Sequence, residues 1–206
     1  MNQVAIEMSD VGKRFGTHWV LRRVDLSVRR GEAIALFGGN GAGKSTLLKL
    51  IASLLSPSCG SLKTSGNMRF FAHEKQLYSL LTVFENLRLV AQLTTKRVQV
   101  PFGCVDEALD RLQIRKIRDQ RIGQLSEGQK KRVTLAKLLI GADDSEIFLM
   151  DEPYPTLDEE GKKVLDGLLR EWREKGKTLL IASHERERTL PHVDRVLSIE
   201  GGRILS

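Results

Sequence analysis

No stretch of this chain approaches the roughly 20 apolar residues that a helix needs to cross a bilayer. The longest helical apolar segment, Leu47 to Leu55, is short and contains Lys49. Cysteine is scarce: the two residues, Cys59 and Cys104, make no disulfide framework and fit a reducing compartment, with both thiols read as structural. The N-terminus, Met1-Asn2-Gln3-Val4-Ala5, has neither a basic leader nor an extended hydrophobic segment, so no secretory signal is read. Aromatic residues make up 5% of the chain and none is interleaved in the basic cluster from Arg111 to Arg121, which argues against stacking on single-stranded nucleic acid. Together these absences lead to the expectation of a cytosolic protein.

The 206 residues suffice for one domain with its own core and room for two lobes. The formal net charge is +7, with basic residues gathered at Arg22-Arg23, Arg29-Arg30, Arg111 to Arg121 and Lys130-Lys131-Arg132. Such a surplus suits anionic lipid headgroups or nucleic acid, and equally an ordinary solvated surface.

Hydrophobic periodicity orders the chain. Val4, Ile6 and Met8 alternate, as do Val24, Leu26 and Val28, the period of half-buried strands. After the apolar strand Ala33 to Phe37, a helix starts near Ser45 and runs on Leu47, Leu48, Ile51, Leu54 and Leu55 until Pro57 and Gly60. From about His73 to Gly141 the pattern is helical, with Val105, Ala108, Leu109 and Leu112 on one face and a further helix from Gly128 or Gln129 to Ile140. Strands return at Ile147 to Met150 and Leu179 to Ala182, separated by an amphipathic helix carrying Val164, Leu165, Leu168, Leu169 and Trp172. The tail around Gly201-Gly202 reads as a hairpin. This alternation implies an α/β protein: a mainly parallel core sheet, an antiparallel N-terminal β subdomain, and a helical insertion. The expected lobes are a core of about 1–72 and 142–206 and a helical lobe of about 73–141.

Three motifs carry chemistry. Gly38-Gly39-Asn40-Gly41-Ala42-Gly43-Lys44-Ser45-Thr46 is a complete phosphate-binding loop between a strand and a helix. Its glycines let backbone N–H groups curl around a phosphate, and the helix N-terminus adds partial positive charge. Lys44 is expected to reach the terminal phosphates and Ser45 to ligate Mg²⁺. The strand Ile147 to Met150 delivers Asp151 at its C-terminal end, placed to hold the Mg²⁺ shell, and Glu152, placed to polarise an attacking water. Leu125-Ser126-Glu127-Gly128-Gln129, ahead of a helix, is a second anion site built from a hydroxyl and backbone donors, although by itself it also reads as a helix cap.

Followed by Lys130 to Ala136 and then by Asp151, that third motif resembles the signature of ABC-type ATPases. Other residues agree in family order. Leu157-Asp158 is similar to the family's dimer-contact loop, Ser183-His184 to its switch histidine, and Phe15 stands where the family stacks an aromatic on adenine. The resemblance implies a P-loop NTPase fold and ATP with Mg²⁺ as ligands. It implies Ser126, Gly128 and Gln129 as a second set of nucleotide contacts, and a head-to-tail dimer in which each ATP is shared by two chains. Catalysis is then expected from Glu152, His184 and Lys44. Two positions depart from the family pattern. Glu127 stands where glycine is commonest, and Glu74 falls where a glutamine usually reaches Mg²⁺, with Gln76 two residues on.

These expectations describe the peripheral ATP-hydrolysing motor of an ABC transporter, on the cytoplasmic face of a membrane and joined to integral membrane subunits, with no direct nucleic-acid partner. The compact length, His73 before Glu74, and Leu81 to Leu87 most resemble the haem-exporter ATP-binding subunit of bacterial cytochrome c maturation. The alternatives are an exporter subunit for another substrate, a soluble ABC-type ATPase acting on nucleic acid or a protein assembly, and a nucleotide-gated module with weak turnover.

Overall fold

The computed structural model describes residues 3–71, 77–94 and 102–205. In chain order the elements are β1 (Val4–Phe15), β2 (His18–Arg29), β3 (Ala33–Phe37), α1 (Lys44–Ile51), β4 (Cys59–Thr64), β5 (Met68–Phe71), α2 (Val83–Thr94), α3 (Phe102–Arg111), α4 (Glu127–Leu139), β6 (Ile147–Asp151), α5 (Glu159–Glu174), β7 (Thr178–Ala182), α6 (Arg186–Thr189), β8 (Arg195–Glu200) and β9 (Arg203–Leu205). They divide into two compact units: Met1–Phe70, Ser145–Pro153 and Leu169–Ser206 in the first, Phe71–Asp144 and Tyr154–Leu168 in the second.

The first unit combines an antiparallel sheet of order β2-β1-β4 with a second sheet of order β5-β6-β7-β3-β8-β9. Within the second sheet β6, β7, β3 and β8 run parallel, and the β8–β9 hairpin is antiparallel. Strands β3, β6 and β7 are buried at every position, which explains their continuous apolar runs (Ala33 to Phe37, Ile147 to Met150) where a half-solvated strand would alternate. One continuous core joins Ile6, Met8, Val24 and Val28 of the antiparallel sheet to Ile34, Leu149, Leu180 and Leu197 of the parallel one, with Leu47, Leu48 and Ile51 of α1. Phe148 and Trp172 stack with ring centroids 4.1 Å apart. The tail hairpin turns on Gly201 and Gly202, both at positive φ as a two-residue hairpin turn of this hand requires.

The second unit is built on α2, α3 and α4, which pack through Leu87 and Ala91, Val105 and Leu109, and Val133 and Ala136. Helix α5 changes unit along its length, residues 159–168 lying in the second and 169–174 in the first. Among the described residues no helix is long and apolar enough to cross a membrane.

The expected α/β class, parallel core and antiparallel N-terminal sheet are therefore present. Two details differ. Helix α1 stops at Ile51 because Ser53 takes a left-handed φ of 57°, which leaves Leu54 57% exposed and off the helical face assigned to it. Strand β4 was not legible because hardly any of its residues is buried, so it carries no alternation of apolar and polar positions.

Members of the basic clusters also have partners that their sequence does not suggest. Lys131 is buried over the Phe71 ring at 4.6 Å, Arg115 is paired with Asp106 and Asp110, and Arg30 is paired with Glu146. Replacement of Leu149, wholly buried in β6, by alanine should cost about 2–5 kcal/mol, read as a lower urea midpoint.

Candidate functional site

Register brings the catalytic candidates to one edge. Ala182 of β7 pairs with Leu36 on one side and with Asp151 on the other, so β3, β6 and β7 end side by side. The loop from Gly38, the pair Asp151-Glu152 and the turn Ser183-His184 all leave the sheet there, at the carboxyl ends of parallel strands.

The loop is shaped by close packing beneath it. Gly43 has φ 110°, and a Cβ there would meet the Leu21 side chain at 2.8 Å, so this position needs glycine twice over. Gly43 also stands at the N-cap of α1 without any side-chain cap, which leaves the first N–H groups of the helix available to an anion. Gly39, Asn40 and Gly41 are exposed, Ala42, Ser45 and Thr46 half-buried, and Lys44 is 6% exposed. The Lys44 ammonium donates to the carbonyls of Gly38 (2.7 Å) and Gly39 (3.2 Å), folded over its own loop.

His184 stands between that lysine and a carboxylate. Its Nε2 lies 3.2 Å from Lys44 Nζ and 3.3 Å from Glu152 Oε1. Its backbone N–H donates to Glu152 Oε2 at 3.2 Å. Glu152 itself has φ 49°, an uncommon conformation for a side-chain-bearing residue, held by its N–H donating to Ala182 O at 2.9 Å. Lys44, Glu152 and His184 thus form one connected polar group.

A divalent cation fits beside them. Asp151 is 2% exposed, and its Oδ1 is buried without a hydrogen-bond partner among the described residues. An orphaned carboxylate oxygen and a serine hydroxyl are the hard oxygen donors that suit Mg²⁺. Glu74, the third expected metal ligand, lies outside the described residues, as do His73 and Gln76. Phe15, the expected adenine platform, ends β1 with half its surface exposed and the Lys13 ammonium 5.2 Å from its ring centroid.

Ser126, Gly128 and Gln129 belong to the second unit. Ser126 caps α4: its Oγ accepts from the Gln129 N–H at 3.3 Å, and Gln129 Oε1 accepts from the Ser126 N–H at 2.9 Å. Gly128 is pressed close to the chain, since a Cβ would sit 3.1 Å from Thr156 O. Four residues on, Arg132 grips Asp158 with bonds of 2.7 and 2.9 Å and also donates to Leu112 O. Sequence gives no signal for this pairing, because Arg132 stands in the basic run Lys130-Lys131-Arg132 and its carboxylate partner lies 26 residues away.

The chain matches the family described as ABC transporter over residues 21–155. It belongs to the ABC transporter family. It is 35% identical over 210 residues to an aliphatic sulfonates import ATP-binding protein of Burkholderia ambifaria, covering 97% of this chain and 62% of that protein. It is 31% identical over 215 residues to a Nod factor export ATP-binding protein of Burkholderia orbicola, covering 98% of this chain and 70% of that one. Among solved structures, a dimeric ATP-binding cassette in a post-hydrolysis state with ADP and Pi shares the fold, at TM-score 0.89 and 23% identity over 98% of this chain and 97% of that one. The chain spans about three fifths of the length of the sulfonate relative (62%). Gly38 to Thr46 and the pair Asp151-Glu152 lie in the first unit, and Ser126 lies in the second.

Two outcomes test the local chemistry. Ser126→Ala removes the cap of α4 and should lower stability by about 1 kcal/mol. The Arg132 guanidinium, helped by the Gly161 N–H, holds the Asp158 carboxyl below the usual aspartate range. A depressed folded value means that this stabilisation is present above pH ~3.9 and is lost as pH falls through the folded value. Asp158→Asn should therefore be the less stable protein at pH 7, by under about 1 kcal/mol because the carboxylate is largely exposed. Denaturation midpoints of the two proteins should converge as pH drops below about 4.

Proposed function

We propose that this chain is the ATP-hydrolysing motor of an ABC transporter, peripheral to the cytoplasmic face of a membrane and bound to separate membrane-spanning subunits. The observation that carries the proposal is the connected group Lys44, His184 and Glu152 beside the glycine loop, at the carboxyl edge of the parallel sheet. In this reading the N–H groups at the start of α1 and the Lys44 ammonium hold the phosphates of ATP. Lys44 exchanges its bonds to Gly38 O and Gly39 O for phosphate oxygens. Glu152 accepts a proton from, or orients, the attacking water, and His184 holds that carboxylate and contacts the γ-phosphate. Phosphoryl transfer asks for positioning and charge stabilisation more than covalent work, and this group supplies both. Mg²⁺, held by Ser45 and Asp151, would neutralise charge on the phosphate oxygens. Phe15 offers an exposed ring to the adenine.

Ser126, Gly128 and Gln129 serve the site of a second copy, so that two chains share two ATP molecules. Dimeric relatives of the same fold support this arrangement. The transported substrate is a property of the membrane subunits. Export of haem rests on the short text around His73, Glu74 and Leu81 to Leu87. The relatives give it no support, one being named for sulfonate import and another for Nod factor export. Identification of the membrane protein that co-purifies with this chain decides among the substrates, and a partner bound to nucleic acid in place of a membrane protein would overturn the transporter reading.

Glu152→Gln should lower ATP turnover by about a hundredfold or more and accumulate an ATP-bound dimer on size exclusion. A monomer with normal turnover would overturn the shared-site mechanism. Lys44→Ala should weaken ATP binding by roughly ten- to a hundredfold in calorimetry, the value of a charge-assisted bond.

A further inference from the structure

We propose that Arg186 is a positioning residue for His184, acting through a cation–π clamp on Phe37. The proposal rests on the ATPase reading above. His184 is poorly held by packing: its side chain is 48% exposed, its contact to Lys44 at 3.2 Å is at the long end of hydrogen bonding, and Glu152 Oε1, 3.3 Å away, makes no hydrogen bond to it. A shift of a few tenths of an ångström would break the contact to Lys44.

The turn that carries it is also short. Helix α6 has four residues and its N-cap, Glu185, makes no side-chain cap bond. Its local ties, Glu185 N–H to Ser183 Oγ at 3.0 Å and Arg186 N–H to His184 O at 3.0 Å, connect the turn to itself, and the His184 N–H to Glu152 Oε2 bond, at 3.2 Å, reaches the end of β6 and not β3. Its backbone tie to β3, Ser183 N–H to Leu36 O, is stretched to 3.3 Å.

Arg186 adds a side-chain link to β3. Its guanidinium lies 4.5 Å from the centroid of the Phe37 ring. Among the described residues it forms no ion pair, so the ring face is its partner. Phe37 is 3% exposed and fixed as the last residue of β3. The next residue, Gly38, accepts the shortest hydrogen bond of Lys44, at 2.7 Å. The clamp therefore joins the turn bearing His184 to the chain segment that anchors Lys44. A cation on the ring face is required; an aliphatic chain of equal length covers the ring without being drawn to its negative face.

The test compares Arg186→Met, Arg186→Lys and Phe37→Leu by two readouts. The first is the imidazole NMR signal of His184 in the nucleotide-free protein, identified by its loss in His184→Gln. It should move in Arg186→Met and in Phe37→Leu and return in Arg186→Lys, while the signals of His18 and His192 stay. The second is steady-state turnover, where Arg186→Met should lower kcat by about two- to fivefold with KM for ATP unchanged, and lysine should restore it. An unmoved His184 signal in both Arg186→Met and Phe37→Leu overturns the clamp. So does a lysine variant that behaves like methionine, or an equal shift of all the histidine signals. A wild-type protein without turnover would instead overturn the ATPase reading, and the His184 signal would still decide the clamp by itself.

Discussion

The parallel ladder in which Ala182 pairs with both Leu36 and Asp151 is the constraint on which the candidate site depends. Those three strands are buried along their whole length, so their backbone groups must find partners on neighbouring strands, and water is not at hand to replace them. Register is therefore held tightly. It delivers a glycine loop, an acidic pair and a histidine turn from distant parts of the chain to one edge. A slip of one residue would reverse every side chain and put Asp151 on the wrong face.

At that edge the structure carries local strain and unsatisfied polarity of the kind that function uses. Glu152 occupies a left-handed conformation, Asp151 Oδ1 is buried without a protein donor among the described residues, and Lys44 spends its protons on its own loop carbonyls. A divalent cation would satisfy the Asp151 oxygen, and a phosphate would give the Lys44 ammonium another acceptor. The two helices proposed to meet phosphate differ in the same sense. Helix α1 starts at a glycine without a side-chain cap, whereas α4 starts in a closed capping box, with Ser126 and Gln129 satisfying each other. The serine motif thus has a structural duty that holds whether or not nucleotide is near.

Much of this was legible in the residues. The phosphate loop, the acidic strand end, the buried strands and the tail hairpin follow from local pattern, because each is a contiguous piece whose chemistry or periodicity is self-contained. What escaped had no local signature. Strand β4 has no buried residue, and its one large apolar side chain, Leu62, is half-buried, so it shows no run of alternating apolar positions. Helix α1 ends early through one left-handed serine that apolar spacing does not encode. Lys131 and Arg132 look like members of a basic surface run, yet burial gives one an aromatic ring and the other a carboxylate.

The sequence by itself determined the α/β class, the family and the cast of candidate residues, since strand and helix periods and a phosphate-binding loop are written in contiguous text. Only the tertiary structure decided which of those residues meet. The contact of His184 with Lys44 and Glu152, the grip of Arg132 on Asp158 and the seat of Arg186 on Phe37 all join residues far apart in the chain. Their distances are set by strand register and burial, which are properties of the folded sheet and its packing that no local stretch of sequence contains.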